Sequence, residues 1–286
     1  MNDFSKYPKI DKYYGGSERK LAISIDGFEY MLKFQKQETF SKRFNHISEY
    51  LGSHIFELLG FNVQDTYLGI YNGEEVVACK NFMENPELQF VPFNDIGESS
   101  LEQDKEKYQY SYEDIMRMLR ENVKLTNVPE TVSLFWDIYV ADALLGNFDR
   151  HGSNWGFIKK NNKYSLAPVF DNGSSLFPQM TDENKMIQIM NSEEQTNERI
   201  YKLPTSQVKL NGNKSSYYEV INSFQFEECN ASVIKIYETY SQEKVNKLID
   251  ETPFITEIHK KFYKYMLEQR FKKIIEPAYK HLKEKK

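Results

Sequence analysis

Two turn dipeptides, Asp26-Gly27 and Asn72-Gly73, each lie between runs of strand-forming residues, and a helix-patterned stretch separates them. Such dipeptides accept the positive φ values of a tight two-residue hairpin. Lys20–Ile25 and Phe28–Phe34 predict one hairpin, and Thr66–Tyr71 and Glu75–Phe82 a second. Between them, over Phe40–Leu59, Phe44, Ile47, Leu51, Ile55, Leu58 and Leu59 recur at helical spacing, and Gly60 supplies a stop. Hairpin, helix, hairpin dictates a small, mainly antiparallel sheet with one helix. Alternation along Phe28–Phe34 sets Met31 and Lys33 on one face and Tyr30, Leu32 and Phe34 on the other.

The rest of the chain reads differently. Residues 85–110 are polar and irregular, a linker or surface insertion. From Ser111 onward helical patterns dominate. Tyr112–Asn122 is one predicted helix, and Pro129–Leu145 is another, with proline at an early helical position and Gly146 ending it. Trp155–Ile158 and Tyr164–Val169 read as short strands joined at Asn161-Asn162. Thr181–Asn213 has no clear pattern; its acidic part, residues 180–198, fits a solvated loop or a region favouring a basic substrate. Helical spacing returns over Tyr217–Phe224, Ala231–Leu248 and Phe254–Leu282. The expectation is an α+β chain of two lobes: a sheet-rich lobe over residues 1–84, a connection over 85–110, and a helical lobe over 111–286.

Composition narrows the function classes. With 40% apolar and 15% aromatic residues among 286, the chain can build a sizeable core, which argues against intrinsic disorder. No run approaches the eighteen or so apolar residues of a membrane span. The start, MNDFSKYPKIDKYYGG, lacks the apolar core of a signal peptide. A cytoplasmic location is expected, with secretion by a route needing no signal peptide left open. A net charge of −5 argues against a general nucleic-acid binder. The two cysteines, Cys79 and Cys229, cannot form a zinc cluster alone and read as free thiols, with one disulfide as the alternative.

The chemistry concentrates in LLGNFDRHGSNWGF, residues 144–157, and LAPVFDNGSSLF, residues 166–177. Asp149 and Asn154 fall in a loop between a buried helix and a hairpin, and Asp171 follows the hairpin. Phosphoryl transfer needs this set: one carboxylate to orient the acceptor hydroxyl and take its proton, and a second carboxylate and an amide oxygen to hold Mg²⁺ against nucleotide phosphates. Asp149 and Asn154 are five positions apart, as in the kinase pattern H-R-D-x-x-x-x-N. Asp171-Asn172-Gly173 stands where D-F-G would, with Asn in place of Phe. The predicted architecture is thus protein-kinase-like.

The remaining parts have candidates. Lys33, on its strand, is the candidate for phosphate oxygens, with Glu49 as its brace from the following helix and Glu57 second. Gly15, Gly16 and Ser17 form a candidate phosphate-cradling turn through backbone N–H groups, although neither G-x-G-x-x-G nor G-x-x-x-x-G-K-[ST] is present. Ala78–Met83, with Lys80 and Phe82, ends the second hairpin where a kinase contacts adenine. His151 has no metal-ligand spacing and is expected to orient the loop by hydrogen bonds. For Arg150, pairing with a carboxylate or phosphate and a purely structural role both stand.

Asn147-Phe148-Asp149-Arg150-His151-Gly152-Ser153-Asn154, followed by Phe170-Asp171-Asn172-Gly173, resembles the catalytic and metal-binding segments of HipA-like kinases, in particular their compact CtkA-like branch. The likeness extends to residues 14–34, 48–60 and 78–83. It implies a serine/threonine protein kinase using ATP and Mg²⁺. On that basis Asp149 is the catalytic base, Asn154 and Asp171 bind metal, and Lys33 contacts ATP phosphates. It also implies a protein substrate, autophosphorylation with Ser17 as the matching serine, and an antitoxin-type partner. The chain starts almost directly at the nucleotide loop, without the extra N-terminal subdomain of HipA toxins, which puts carry-over of their antitoxin and DNA contacts in doubt. Alternatives are a phosphoinositide kinase, an aminoglycoside-type small-molecule kinase, and a pseudokinase scaffold.

Overall fold

The computed structural model describes residues 1–15, 18–37, 42–83, 85–96, 116, 128–161, 163–210 and 212–285. Gly16, Ser17, Phe40, Asn162, the predicted connection from residue 97 on, and the predicted helix Tyr112–Asn122 apart from Met116 lie outside the described residues. The chain divides into two compact units. One comprises Met1–Asn85, Pro168–Met190 and Ser241–Lys264; the other comprises Pro86–Ala167, Asn191–Tyr240 and Tyr265–Lys286.

The first unit is built on a six-stranded sheet. Its strands are β1 (Asn2–Asp3), β2 (Lys9–Ile10), β3 (Lys20–Ile25), β4 (Phe28–Phe34), β5 (Thr66–Tyr71) and β6 (Glu74–Lys80), in the order β1-β5-β6-β4-β3-β2. Both predicted hairpins form. Their turn residues take positive φ: Asp26 50°, Gly27 84°, Asn72 50° and Gly73 81°. β3 and β4 pair from Lys20↔Lys33 to Ile25↔Phe28, and β4 continues antiparallel to β6 with Lys33 opposite Val77. Two additions were not foreseen. β2 extends the β3 edge, and β1 runs parallel to β5, so the sheet is mixed.

Alternation along β4 sorts the core as expected. Leu32 and Phe34 join Phe4, Ile23, Tyr71, Val76 and Ala78 in one apolar cluster. Helix α1 (Asn45–Leu58) packs on β5 and β6 and buries Ile47, Leu51, Ile55 and Phe56 completely. Each such side chain stabilises by roughly 1.5–3 kcal/mol relative to exposure. α1 begins at Asn45, later than the periodicity suggested. Asn45 accepts the Lys36 N–H through Oδ1 and donates from Nδ2 to the Phe34 carbonyl, tying the helix start to the end of β4. Gly60, at φ 85°, follows the helix as expected.

The second unit holds a three-stranded sheet, β7 (Gln89–Pro92), β8 (Gly156–Lys160) and β9 (Lys163–Leu166). β7 falls inside the stretch read as a linker. It pairs with β8 as far as Pro92↔Gly156, and a Cβ at Gly156 would sit 2.3 Å from the Val91 carbonyl oxygen, so this approach requires glycine. The helix Val128–Leu145 ends at Gly146, whose φ is 65°. It packs against helix Glu227–Thr239 and buries Trp136, Val140 and Leu144.

The unpatterned stretch 181–213 is structured after all. It carries helices Glu183–Met190 and Glu193–Asn197 and strand Thr205–Leu210, which pairs with Asn213–Ser216. These elements are polar, so their periodicity was faint; Glu183–Met190 buries only Met186 and Ile189. The helix expected over Ala231–Leu248 is two helices, because extended Ser241 breaks it and caps Gln242–Glu251 by accepting the Lys244 N–H. Cys79 and Cys229 are free and buried, which corrects the disulfide alternative. Among the described residues, no helix is long and apolar enough to cross a membrane.

Candidate active site

In the first unit, Lys33 is the centre of a buried charge cluster. Its Nζ donates to Glu49 Oε2 at 2.8 Å and to Asp171 Oδ1 at 2.7 Å. Burial opposes the ammonium charge, but Asp171 and then Glu49 outweigh it and hold Lys33 well above the usual lysine range. Glu49, fully buried in α1, uses both oxygens: Oε2 on Lys33, and Oε1 accepting the Asn172 N–H at 3.0 Å. Asp171 has φ 57°, and its side chain is 38% exposed. Glu57 turns instead to His54 on the exposed face of α1.

The other described nucleotide-site candidates of this unit make contacts of their own. The Gly15 carbonyl accepts from Lys20 Nζ at 2.8 Å. Lys80 lies opposite Tyr30, hence on the face away from Lys33, with its Nζ 4.5 Å from the centre of the Phe28 ring. Its backbone is engaged too, the N–H with Asp65 and the carbonyl with Gln64 Nε2. The Phe82 ring is tilted against that of Phe170, ring centres 5.6 Å apart. An unforeseen junction precedes Gly15: Lys12, Tyr14 and Asn81 all donate to Glu29 Oε1, at 2.6, 2.8 and 3.2 Å. It fixes the stretch leading into the candidate phosphate turn.

In the second unit, the loop after helix Val128–Leu145 is tied down by its own short-range bonds. Buried Asp142 accepts from Asn147 Nδ2 at 2.9 Å, Arg150 Nε at 2.8 Å and Arg150 Nη2 at 3.1 Å. Asn147 Oδ1 accepts the Asp149 N–H at 3.0 Å, and Asn154 Nδ2 donates to the Asp149 carbonyl at 2.9 Å. The backbone of Asp149 is thus gripped from both sides while its carboxylate is half exposed. Asn154 thereby commits its NH₂ to that carbonyl, and its remaining polar side-chain atom is the amide oxygen Oδ1. Arg150 Nη1 donates to the Asn154 carbonyl, and the Tyr217 hydroxyl donates to the Asn147 carbonyl at 2.8 Å. Arg150 therefore pairs with a carboxylate, that of Asp142 in the preceding helix. His151 Nδ1 accepts the Ser153 N–H, a local orienting bond of the kind expected.

Asp142 and Tyr217 were not singled out from sequence, whereas Asn147 belongs to the segment that carries the family resemblance. Asp142 had a readable signal, a carboxylate inside the apolar run VADALL. Tyr217 had none, since its role depends on a partner that folding supplies.

The description of a HipA-like C-terminal domain matches residues 13–253, most of the chain. The chain belongs to the HipA-like family. This HipA-like chain is 35% identical over 276 residues to the serine/threonine-protein kinase CtkA of Helicobacter pylori strain J99, covering 94% of this chain and 84% of that protein. The crystal structure of a Helicobacter pylori proinflammatory kinase CtkA matches it with a TM-score of 0.91 at 33% identity, over 99% of this chain and 97% of that one. A HipA from Shewanella oneidensis MR-1, solved with HipB and operator DNA as a toxin–antitoxin system, matches with a TM-score of 0.60 at 14% identity, over 96% of this chain and 65% of that chain. The fold of this HipA-like chain is accordingly α+β and kinase-like.

Proposed function

We propose that this chain is an ATP- and Mg²⁺-dependent serine/threonine protein kinase of HipA-like type. The observation that carries the reading is the buried Lys33–Glu49–Asp171 cluster, in a chain whose second unit fixes Asp149 and Asn154 at kinase spacing. A permanently charged lysine braced by a helix glutamate is a device for nucleotide phosphates.

The donor chemistry fits magnesium. Among the described residues no three His, Cys, Asp or Glu side chains gather into a metal cage. Mg²⁺ does not require one, since it binds through one or two carboxylates, with phosphates and water completing its shell. Asp171 and the amide oxygen of Asn154, both hard oxygen donors, would hold it, and it would neutralise charge on the nucleotide phosphates. Lys33 steadies phosphate oxygens, and Glu49 holds its ammonium in place from α1. Asp149 orients a serine or threonine hydroxyl and accepts its proton as that oxygen bonds the γ-phosphorus and ADP departs. Autophosphorylation, with Ser17 as the candidate residue, belongs to the same reading. The likeness to HipA is one of fold and assigns this chain no antitoxin.

Incubation with γ-labelled ATP and Mg²⁺, followed by mass spectrometry, tests this. Label is expected on serine or threonine, of the chain itself or of an added protein acceptor, and Asp149→Ala is expected to reduce it by about 10²–10⁴-fold. Equal labelling in the variant would overturn the role of Asp149. Nucleotide binding without label on any protein hydroxyl would overturn the protein-kinase reading.

A further inference from the structure

Asn172 occupies the position where D-F-G kinases carry an apolar phenylalanine, and its surroundings are polar. It is completely buried, and its Nδ2 donates to Ser53 Oγ on α1 at 3.2 Å. Its N–H donates to Glu49 Oε1, one turn earlier on α1. Gly52 makes room for it: a Cβ there would lie 2.5 Å from Asn172 Cβ and 3.3 Å from its Cγ. Gly173 is similarly close, with an added Cβ 3.3 Å from Glu49 Oε2 and 3.4 Å from the Asn45 carbonyl.

We infer that Asn172, seated on Gly52 and Ser53, is a positioning residue that locks the 171–173 turn to α1 and so keeps Asp171 on Lys33. The inference rests on the kinase reading for its functional meaning. Glu49 makes the coupling direct, because one carboxylate holds both the Asn172 N–H and the Lys33 ammonium. Displacing Asn172 therefore disturbs the brace and the metal-side carboxylate together. The left-handed backbone of Asp171 points the same way, since such a conformation persists where surrounding bonds over-determine it. A phenylalanine would leave Ser53 without its donor. An apolar exchange of that side chain in and out of the core is therefore not available to this chain as a switch.

The test compares the wild type with Ser53→Ala, which removes one buried hydroxyl, and Gly52→Ala, which fills the space Asn172 occupies. Hydrogen exchange of the Asn172 amide is read in ligand-free protein. Affinity for Mg²⁺ with a non-hydrolysable ATP analogue is read by calorimetry, and kcat at saturating nucleotide completes the set. Ser53→Ala is expected to speed exchange by about tenfold and weaken nucleotide affinity by about tenfold, with kcat within about twofold, because binding then draws on a smaller competent population. Gly52→Ala is expected to act in the same direction and more strongly; if it does not fold, Ser53→Ala decides. A lowered melting temperature with unchanged exchange and affinity would overturn the lock and leave Asn172 a packing residue. A wild type that binds no nucleotide would overturn the kinase reading and the positioning role with it, while the exchange rates would still decide whether the lock exists.

Discussion

Lys33 is held by carboxylates 16 and 138 residues away in sequence, whereas Asp149 is held by Asn147 and Asn154 within its own loop. The first arrangement is a balance of buried charge. Its members come from β4, α1 and the segment after β9, and each is satisfied by the others. The second is a backbone clamp that leaves the carboxylate half exposed to meet another molecule. A group that must carry charge out of water is paid for by partners; a group that must exchange a proton is fixed through its main chain instead. Removing a residue from the first should damage fold and chemistry together, and from the second chemistry alone.

The largest effect tests the clamp. Asp149→Asn should lower phosphoryl transfer by about 10²–10⁴-fold with an unchanged melting temperature. A fall of several degrees would show that the carboxylate supports the fold and would erase the contrast. Next comes Lys33→Met, which strands Glu49 without its cation. Breaking a buried pair in this way costs about 3–5 kcal/mol, an upper figure here because Asp171 is 38% exposed. Urea unfolding should register it beside the loss of activity, and an unshifted midpoint would refute the charge-balance view.

Arg150→Lys sharpens the comparison from within the loop, which Arg150 ties to the preceding helix through a buried charge pair with Asp142. Lysine cannot reproduce the two-pronged contact, and losing hydrogen bonds to a charged group costs about 1.5–3 kcal/mol. Stability should fall by that amount, with kcat lowered through the Asn154 carbonyl that Arg150 also holds. Full stability in the lysine variant would show that the pair carries nothing.

The smallest effect is one of pH and belongs to the unit of Lys33. Burial, partly offset by Glu183, holds His259 below the usual histidine value of 6.5. The unfolded chain then binds this proton at higher pH than the folded one, so the contribution is complete above 6.5 and is lost as pH falls through the folded value. His259→Gln should flatten the acid side of the stability profile, as followed by thermal melts from pH 7 to 5. An identical profile would assign the acid sensitivity elsewhere.

The same contrast explains what could be read in advance. Turn dipeptides and apolar spacing are local, so both hairpins of the first sheet, α1 and the long helix Val128–Leu145 were legible, as was the five-residue step from Asp149 to Asn154. The unread parts depend on long-range meetings. Tyr217 reaches Asn147 across 70 residues and Asn172 reaches Ser53 across 119, and no spacing rule announces either. β1 and β2, at two residues each, are too short to display a period of two. The strands Thr205–Leu210 and Asn213–Ser216 are largely polar, so their pairing left little trace in hydrophobicity.

The buried cysteines bring an experimental opportunity. Cys79 belongs to the unit of Lys33 and Cys229 to the unit of Asp149. Burial pushes both thiols far above their usual range, so little reactive thiolate forms while they remain enclosed. Alkylation must then wait for the backbone around each to open. The chain carries two native stopwatches, one in each unit, and mass-resolved labelling over time would report separately how often each unit breathes without any probe being added to the sequence.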